Sequence, residues 1–474
     1  FHYLGLSPVS FHTVFFSISH LRGSLLLGSS TSSVMAKEAS LCSEEEAYDL
    51  LDQLEHMLDH DPLIDEVGFI HPSQLLILNK EADATSVSSD SQEPDARMNS
   101  EPSKCDVPKG KNAFFWNNDH KLGVSTAYLL PLYKAAKHKF MEALAIYRMH
   151  SGPFFKNENV PGNVAFSKAE NEVMKHSRPL LLLSTDFGTA WNARKAVISN
   201  KEDFSHSDEL LVSALVLSFA PKSENAWSHR RWVIKRIASR CDTLEVILDK
   251  ESKLVEKIAE KSKMNYRAWN HRCWLISYMS SRQVLHEFDT SRYWAALHVA
   301  DSSCFHYRRK LLLQMLADAS EQQNAVACSS QLKLLRKLWK DELDWNEMLI
   351  RRYIGREALW LHRRFLSVGW LKHFGAIEQN PTEAGEANNH VKVFLDYELS
   401  LLQDCLNLPE SEFEDVQSQS IHAASYMLRL NWEICSCSSI DLNQKRSVSD
   451  LRELLDRLCP EKSIIWDHLT TKLY

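Results

Sequence analysis

The stretch Pro221-Lys222-Ser223-Glu224-Asn225-Ala226-Trp227-Ser228-His229-Arg230-Arg231-Trp232-Val233-Ile234-Lys235-Arg236-Ile237 decides the fold. Its kernel, Trp-x-His-Arg-x-Trp from Trp227 to Trp232, returns as Trp269-Asn270-His271-Arg272-Cys273-Trp274 and as Trp360-Leu361-His362-Arg363-Arg364-Phe365. Weaker copies are Trp191-Asn192-Ala193-Arg194-Lys195 and Phe305-His306-Tyr307-Arg308-Arg309. A motif that recurs in this way marks a repeat protein, and function has to be read through the repeat.

Ser223 can cap a helix that carries Trp227. At 100° per residue, Arg230 and Arg231 fall on the side of Trp227, and His229 points to roughly the opposite side. A more uniformly apolar helix precedes it, Leu210-Leu211-Val212-Ser213-Ala214-Leu215-Val216-Leu217, with a break at Phe219-Ala220-Pro221. The unit is therefore a helix hairpin. The kernels are separated by 36 (191 to 227), 42 (227 to 269), 36 (269 to 305) and 55 (305 to 360) residues, which fits stacked hairpins with variable loops. One hairpin cannot cover its own apolar face, so each must bury its neighbour's. The fold class expected is all-α, a curved solenoid with a concave face. Guanidinium stacks on indole and keeps donors for a carbonyl or carboxylate of the next hairpin. Trp191, Trp227, Arg230, Trp269, Arg272, Phe305, Arg308, Trp360 and Arg363 are accordingly read as the structural kernel, since function sits in sites grafted on such folds.

Outward from the repeats, Ser43 caps an amphipathic helix over 43–60 whose stripe is Leu50, Leu51, Leu54, Met57 and Leu58. A short apolar element lies at Leu75–Leu78. Residues 81–112 are Ser-, Asp-, Glu-, Pro- and Lys-rich and read as a disordered linker. A helical pattern runs from Val124 to Met149, broken by Gly152-Pro153 and Pro161-Gly162. Polar or disturbed stretches cover Glu321–Ser329 and 376–390; 391–405 is helical, and a last helix spans about Ser449 to Leu458. No alternating strand run longer than a few residues is found. The organisation expected is an N-terminal extension (1–40), a helical lead-in (41–80), the linker (81–112) and a helical repeat domain (113–474).

The net charge of −7 argues against a nucleic-acid partner. No run of 18 apolar residues is present, so a membrane span is not expected. Ten cysteines lie scattered without a paired framework; Cys435 and Cys437 form a C-x-C that lacks a second ligand pair. Reduced thiols in a cytoplasmic protein are the reading. The first 34 residues contain no Asp or Glu. Upstream sequence with Met35 as the start, a transit peptide and a signal peptide are the three readings. The first fits best, because Met35-Ala36-Lys37-Glu38 opens an acidic helical stretch.

Tandem Trp-x-His-Arg-x-Trp helices resemble the protein prenyltransferase α-subunit repeat family. The specific motifs cover about 184–370, with Ser184–Asn192 similar to the family's first repeat. Tyr293–Asp301, leading into Phe305-His306-Tyr307-Arg308, resembles the family's divergent α-type branch. Weaker agreement lies at 65–70, 121–124 and Ala423–Trp432. The tetratricopeptide frame is absent. The fourth copy has Phe305 in place of Trp, and the first lacks His.

The resemblance implies a right-handed crescent of hairpins wrapped around a catalytic β chain. That partner would hold the zinc that activates the acceptor thiol and the isoprenoid pocket, so no metal is expected in this chain. His229, His271 and His362 lie on separate repeats with no Cys or carboxylate at ligand spacing. The divergent branch implies a β chain of the Rab geranylgeranyltransferase type, in a type III protein geranylgeranyltransferase. By the family's motif, Lys222 in Pro-Lys-Ser-x-x-x-Trp would reach the lipid diphosphate, and Tyr266 in Asn-Tyr-Arg-Ala-Trp would lie near it. A Lys placed where the leaving diphosphate gains charge would stabilise the transition state. The competing reading of Lys222 is a solvated residue before a helix, and of Tyr266 a packing residue. At the level of the whole chain the alternative is a helical scaffold without a transferase role. A stand-alone terpene-type enzyme is disfavoured, since no Asp-Asp-x-x-Asp, P-loop or His-Glu-x-x-His occurs.

Overall fold

The computed structural model describes residues 42–87, 114–151, 162–201, 205–239, 243–321, 325–374, 384–406, 414–435, 452–453, 455–457 and 460–471. The chain divides into two compact units, residues 1–241 and 242–474, taken here in turn.

Unit 1 begins with α1 (Glu44–His60). The Ser43 hydroxyl accepts the Glu46 N–H at 3.1 Å, and Glu44, Glu45 and Glu46 fill the first turn, where the helix dipole favours acids. Leu50, Leu51, Leu54 and Leu58 are its buried stripe. Strand β1 (Glu66–Ile70), α2 (Pro72–Val87), β2 (Phe115–Asn118) and β3 (Lys121–Ser125) follow. The strands form one sheet in the order β1-β3-β2, with β1 parallel and β2 antiparallel to β3. This sheet corrects the expectation that no strands would be found. Val67 to Ile70 are buried without interruption, so the run has no period-two signature to separate it from a buried helix. The β2–β3 turn places Asp119 and His120 at φ 50° and 58°, the left-handed pair that a two-residue hairpin with this twist requires. Phe69 packs edge-on against Phe219 at 5.3 Å, and the Val67 N–H donates to the Ser218 hydroxyl at 3.2 Å. The sheet is thus fastened to the repeat helices of its own unit.

Those helices are α3 (Leu129–His150), α4 (Gly162–Leu183), α5 (Gly188–Ser199), α6 (His206–Phe219) and α7 (Glu224–Ile237). Helix α2 continues through Val87, into the stretch read as linker; residues 88–112 lie outside the described residues, as does the N-terminal extension.

Unit 2 holds α8 (Leu244–Lys261), α9 (Tyr266–Leu275), α10 (Ser281–Leu297), α11 (Ser302–Ser320), α12 (Ala325–Arg352), α13 (Glu357–His373), α14 (Ala384–Leu406), α15 (Glu414–Cys435) and α16 (Ser463–Thr471). Asn265 and Asp301 cap α9 and α11, and Ser280 with Gln283 forms a capping box on α10. The core joins Trp269, Trp294, Phe305, Trp339, Trp345 and Trp360 in one cluster. Helix α12 begins at Ala325, inside the stretch read as polar, and α14 at Ala384, inside the disturbed region. Cys437 and most of the loop ahead of the expected last helix lie outside the described residues. Helix hairpins dominate both units, as the repeat demands.

One glycine closes the α12–α13 turn. Gly355 stands at φ +75°, and a Cβ there would meet the Asp415 carbonyl oxygen at 2.7 Å. Its N–H donates to Gln419 Oε1 at 2.9 Å, and the same oxygen accepts the Trp360 indole N–H at 3.1 Å. Gly355→Ala should therefore cost about 1–3 kcal/mol, from strained backbone plus loss of this clasp. Urea unfolding checks it, and an unchanged midpoint would refute the clasp.

Candidate functional site

Each kernel arginine is an internal tie. Arg363 Nε and Nη2 donate to Glu398 at 3.0 and 2.6 Å, and Nη1 donates to the Leu343 carbonyl at 2.7 Å. Arg308 holds Glu342 at 2.8 and 2.7 Å, the Phe288 carbonyl at 2.5 Å and the Ser291 hydroxyl at 2.8 Å. Arg272 takes Glu287 at 2.9 Å and Glu256 at 3.0 Å. In unit 1, Arg194 grips Glu209, the Met174 carbonyl and the Ser177 hydroxyl. Arg230 repeats the last two contacts with the Leu210 carbonyl and Ser213. The carboxylate lies in the following hairpin and the carbonyl in the arginine's own, which sharpens the expectation of donors aimed at the next hairpin alone. Stacking also occurs: the Arg272 guanidinium lies 5.4 Å from the Trp269 ring and 4.9 Å from that of Tyr307.

The glutamates are what the motif did not reveal. Glu209, Glu251 and Glu342 accept from His229, His271 and His362 at 2.8, 3.1 and 2.9 Å. Tyr307, standing where His would be, donates to Glu287. In all four the separation is 20 residues. That constant interval between an acid and the kernel histidine is the signal that could have found them. Where the first copy has Ala193, the residue 20 before it is Val173, and both are buried; loss of the imidazole goes with loss of the acid.

Burial alone would raise the Glu342 carboxyl, but Arg308 and the His362 hydrogen bond carry it down to about 2. Glu209 is likewise held at about 2, against burial, by Arg194 and His229. Burial pushes His362 down to about 4 and lowers His229 as well, against the pull of their glutamates. The consistent state is an ionised glutamate between an arginine and a neutral imidazole. The Nδ1 atoms of His229 and His362 are buried without an acceptor, so a second ring proton would have no partner. These histidines are spent on structure.

The exposed polar chemistry lies at the hairpin turns. The Trp227 indole N–H donates to the Pro221 carbonyl at 3.0 Å, as Trp191 does to Thr185 at 2.9 Å. The kernel tryptophan therefore fixes the turn that leads into its own helix. Ser223 caps α7 by accepting the Ala226 N–H at 3.4 Å. Lys222 sits exposed between these two anchors. Tyr266 opens α9 directly after its Asn265 cap; it is 61% exposed, which removes the packing reading, and the Arg267 guanidinium lies 5.6 Å from its ring. Lys222 belongs to unit 1 and Tyr266 to unit 2, each on its own unit's surface.

The family profile described as "Protein prenyltransferase alpha subunit repeat" matches residues 206–237 and 248–279, the α6–α7 and α8–α9 hairpins. Over 256 residues the chain is 31% identical to "Protein prenyltransferase alpha subunit repeat-containing protein 1" of Danio rerio, covering 46% of this chain and 60% of that protein. The protein of the same name from Homo sapiens is 28% identical over 236 residues, 41% of this chain and 58% of that one. The chain thus spans less than two thirds of the length of these relatives. A solved structure, "Candida albicans protein geranylgeranyltransferase-I complexed with GGPP", aligns over 56% of this chain and 88% of that chain, at 15% identity and a TM-score of 0.29.

Proposed function

We propose, from the protein prenyltransferase alpha subunit repeats matched over residues 206–237 and 248–279, that this chain is the α-type, non-zinc-binding subunit of a heterodimeric protein prenyltransferase. In this reading it supports a catalytic β chain, of the Rab geranylgeranyltransferase type, as an isoprenoid passes from its diphosphate to a C-terminal cysteine of an acceptor protein. Zinc belongs to that partner, and the chain is inactive alone. The cytoplasm is the proposed setting; no helix among the described residues is long and apolar enough to cross a membrane.

The observation that carries the reading is Lys222, exposed at the turn into a matched repeat, where the Trp227 indole on the Pro221 carbonyl and the Ser223 cap hold the backbone. A fixed cation beside a departing diphosphate stabilises charge that develops only in the transition state. Co-expression with candidate β chains, followed by assay of lipid transfer, tests this. Lys222→Ala should leave the complex intact and lower kcat about 10- to 100-fold. Failure to form a complex with any β chain would remove the proposal.

One observation favours a second reading, a scaffold without transferase chemistry. The kernel arginines, glutamates and histidines are consumed in holding hairpins together, so the fold needs no catalytic group to persist. That reading requires lipid transfer to be unchanged in the Lys222→Ala complex.

A further inference from the structure

The kernel carries a second arginine that the hairpin ties do not use. In unit 1 the place holds Lys195 and Arg231, the latter paired at 2.7 Å with Glu224 on its own helix. In unit 2 the same place holds Cys273, Arg309 and Arg364. No ion pair joins Arg309 or Arg364 to an acid among the described residues, and the same is true of Arg429 on α15. All three are half-buried. The Nε of Arg309 is fully buried without an acceptor.

These arginines come from α13 and from the two helices packed on it, α11 and α15. Phe305 of α11 lies 5.1 Å from the His362 ring of α13, and the Arg309 guanidinium lies 5.9 Å from the ring of Phe365, the neighbour of Arg364. On the other side, Tyr426 of α15 packs 5.6 Å from Trp360, donates to Glu398 at 2.6 Å and accepts from the Ser367 hydroxyl at 2.8 Å. Arg364 sits between those two anchors, and Arg429 is about one turn beyond Tyr426. Burial first, and Arg364 next, push Arg309 down to about 10; the same two causes lower Arg429. Of the acids on these and the adjoining helices, Glu433 is paired with Lys372 at 3.5 Å, Glu398 with Arg363 and Glu342 with Arg308, while Glu357, two turns before Arg364 on α13, makes no ion pair with it.

We propose that Arg309, Arg364 and Arg429 form a binding site for a phosphate-bearing anion. Three guanidinium groups present more N–H donors and more positive charge than one carboxylate, with two oxygens and a single charge, can satisfy. A phosphoryl group brings three acceptor oxygens and close to two charges, and arginine forks match it bidentately. The site does not depend on the prenyltransferase reading, which uses Lys222 of the other unit.

Calorimetry of the full chain with inorganic diphosphate tests the site, in a Lys222→Ala background so that the other phosphate contact cannot contribute. Saturable binding is expected, weakened at least about tenfold by Arg364→Gln or Arg429→Gln and unchanged by Arg231→Gln. Sedimentation with phosphatidylcholine vesicles, with and without phosphatidic acid, separates the sources. Arg364-dependent pelleting places the phosphate on a lipid headgroup, whereas diphosphate binding without pelleting makes it a soluble ligand. Both results support the site. Absence of binding to either probe, or equal loss in Arg231→Gln, overturns it. Without anion, Arg364→Gln should melt no lower than the parent, because it relieves like-charge repulsion; a lower melting point would make Arg364 structural and also overturn the proposal.

Discussion

Glu342→Ala should lower the unfolding free energy of its unit by about 3–5 kcal/mol, enough to unfold a marginal domain. The carboxylate is fully buried and is shared by Arg308 and His362. Its removal leaves the Arg308 guanidinium buried with no counter-charge, a far larger penalty than the loss of one hydrogen bond. The size of the effect tests whether charge or shape is at stake. In the double variant Arg308→Met with Glu342→Leu the orphaned charge is gone and the volume is kept, so much of the loss should return. Recovery will be incomplete, because the Phe288 carbonyl and the Ser291 hydroxyl lose their donor. Chemical denaturation followed by tryptophan fluorescence reads both variants. A double variant no more stable than Glu342→Ala would show that the tie works through packing instead.

The motif made half of this joint visible. Trp227, Arg230 and their copies are large, uncommon residues at fixed places, so their recurrence stands out from any background, and all are buried in the structure. The acids that receive the arginines sit on the first, variable helix of the following hairpin, where Glu is also an ordinary surface residue. Nothing local separates Glu342, fully buried, from Glu347 five residues on, half-buried. Only the pairing of two helices distinguishes them, and only the 20-residue interval carries that pairing into the sequence. The strands were hidden for a related reason. Val67-Gly68-Phe69-Ile70 is short and buried on every residue, so it shows neither alternation nor a helical stripe. Lys222 is the opposite case: the resemblance singled it out, and its exposure at the turn into α7 fits a solvated residue before a helix as well as the proposed contact. Arg364 was read with the kernel, and spacing alone does not set it apart from Arg231: Glu357 stands seven residues before Arg364, as Glu224 does before Arg231, and only the structure shows that the second pair forms and the first does not.

The same ties should make the protein acid-labile in two steps of the same sign. An unfolded histidine takes its proton near pH 6.5, whereas His362 in the fold resists protonation down to about 4, and His229 is lowered too. Between those values the unfolded chain binds more protons than the native one, so stability falls as pH falls. Below about 4.5 the glutamates add to the loss, since Glu209 and Glu342 titrate near 2 in the fold and near 4.5 in the unfolded chain. Their contribution is fully present above the unfolded value and disappears on the way down to 2. For His362 a shift from 6.5 to about 4 corresponds to roughly 3 kcal/mol at its limit, of which roughly 2 should be lost by about pH 5. His362→Gln separates the steps, because an amide N–H can still serve Glu342 without titrating. Urea midpoints measured from about pH 7.5 down to about pH 5 should fall less steeply in that variant than in the parent. Equal slopes would mean that His362 titrates in the fold as it does in the unfolded chain; a parent that falls less steeply than the variant would mean that His362 is protonated in the native state, and that the tie is an Arg–Glu–imidazolium triad.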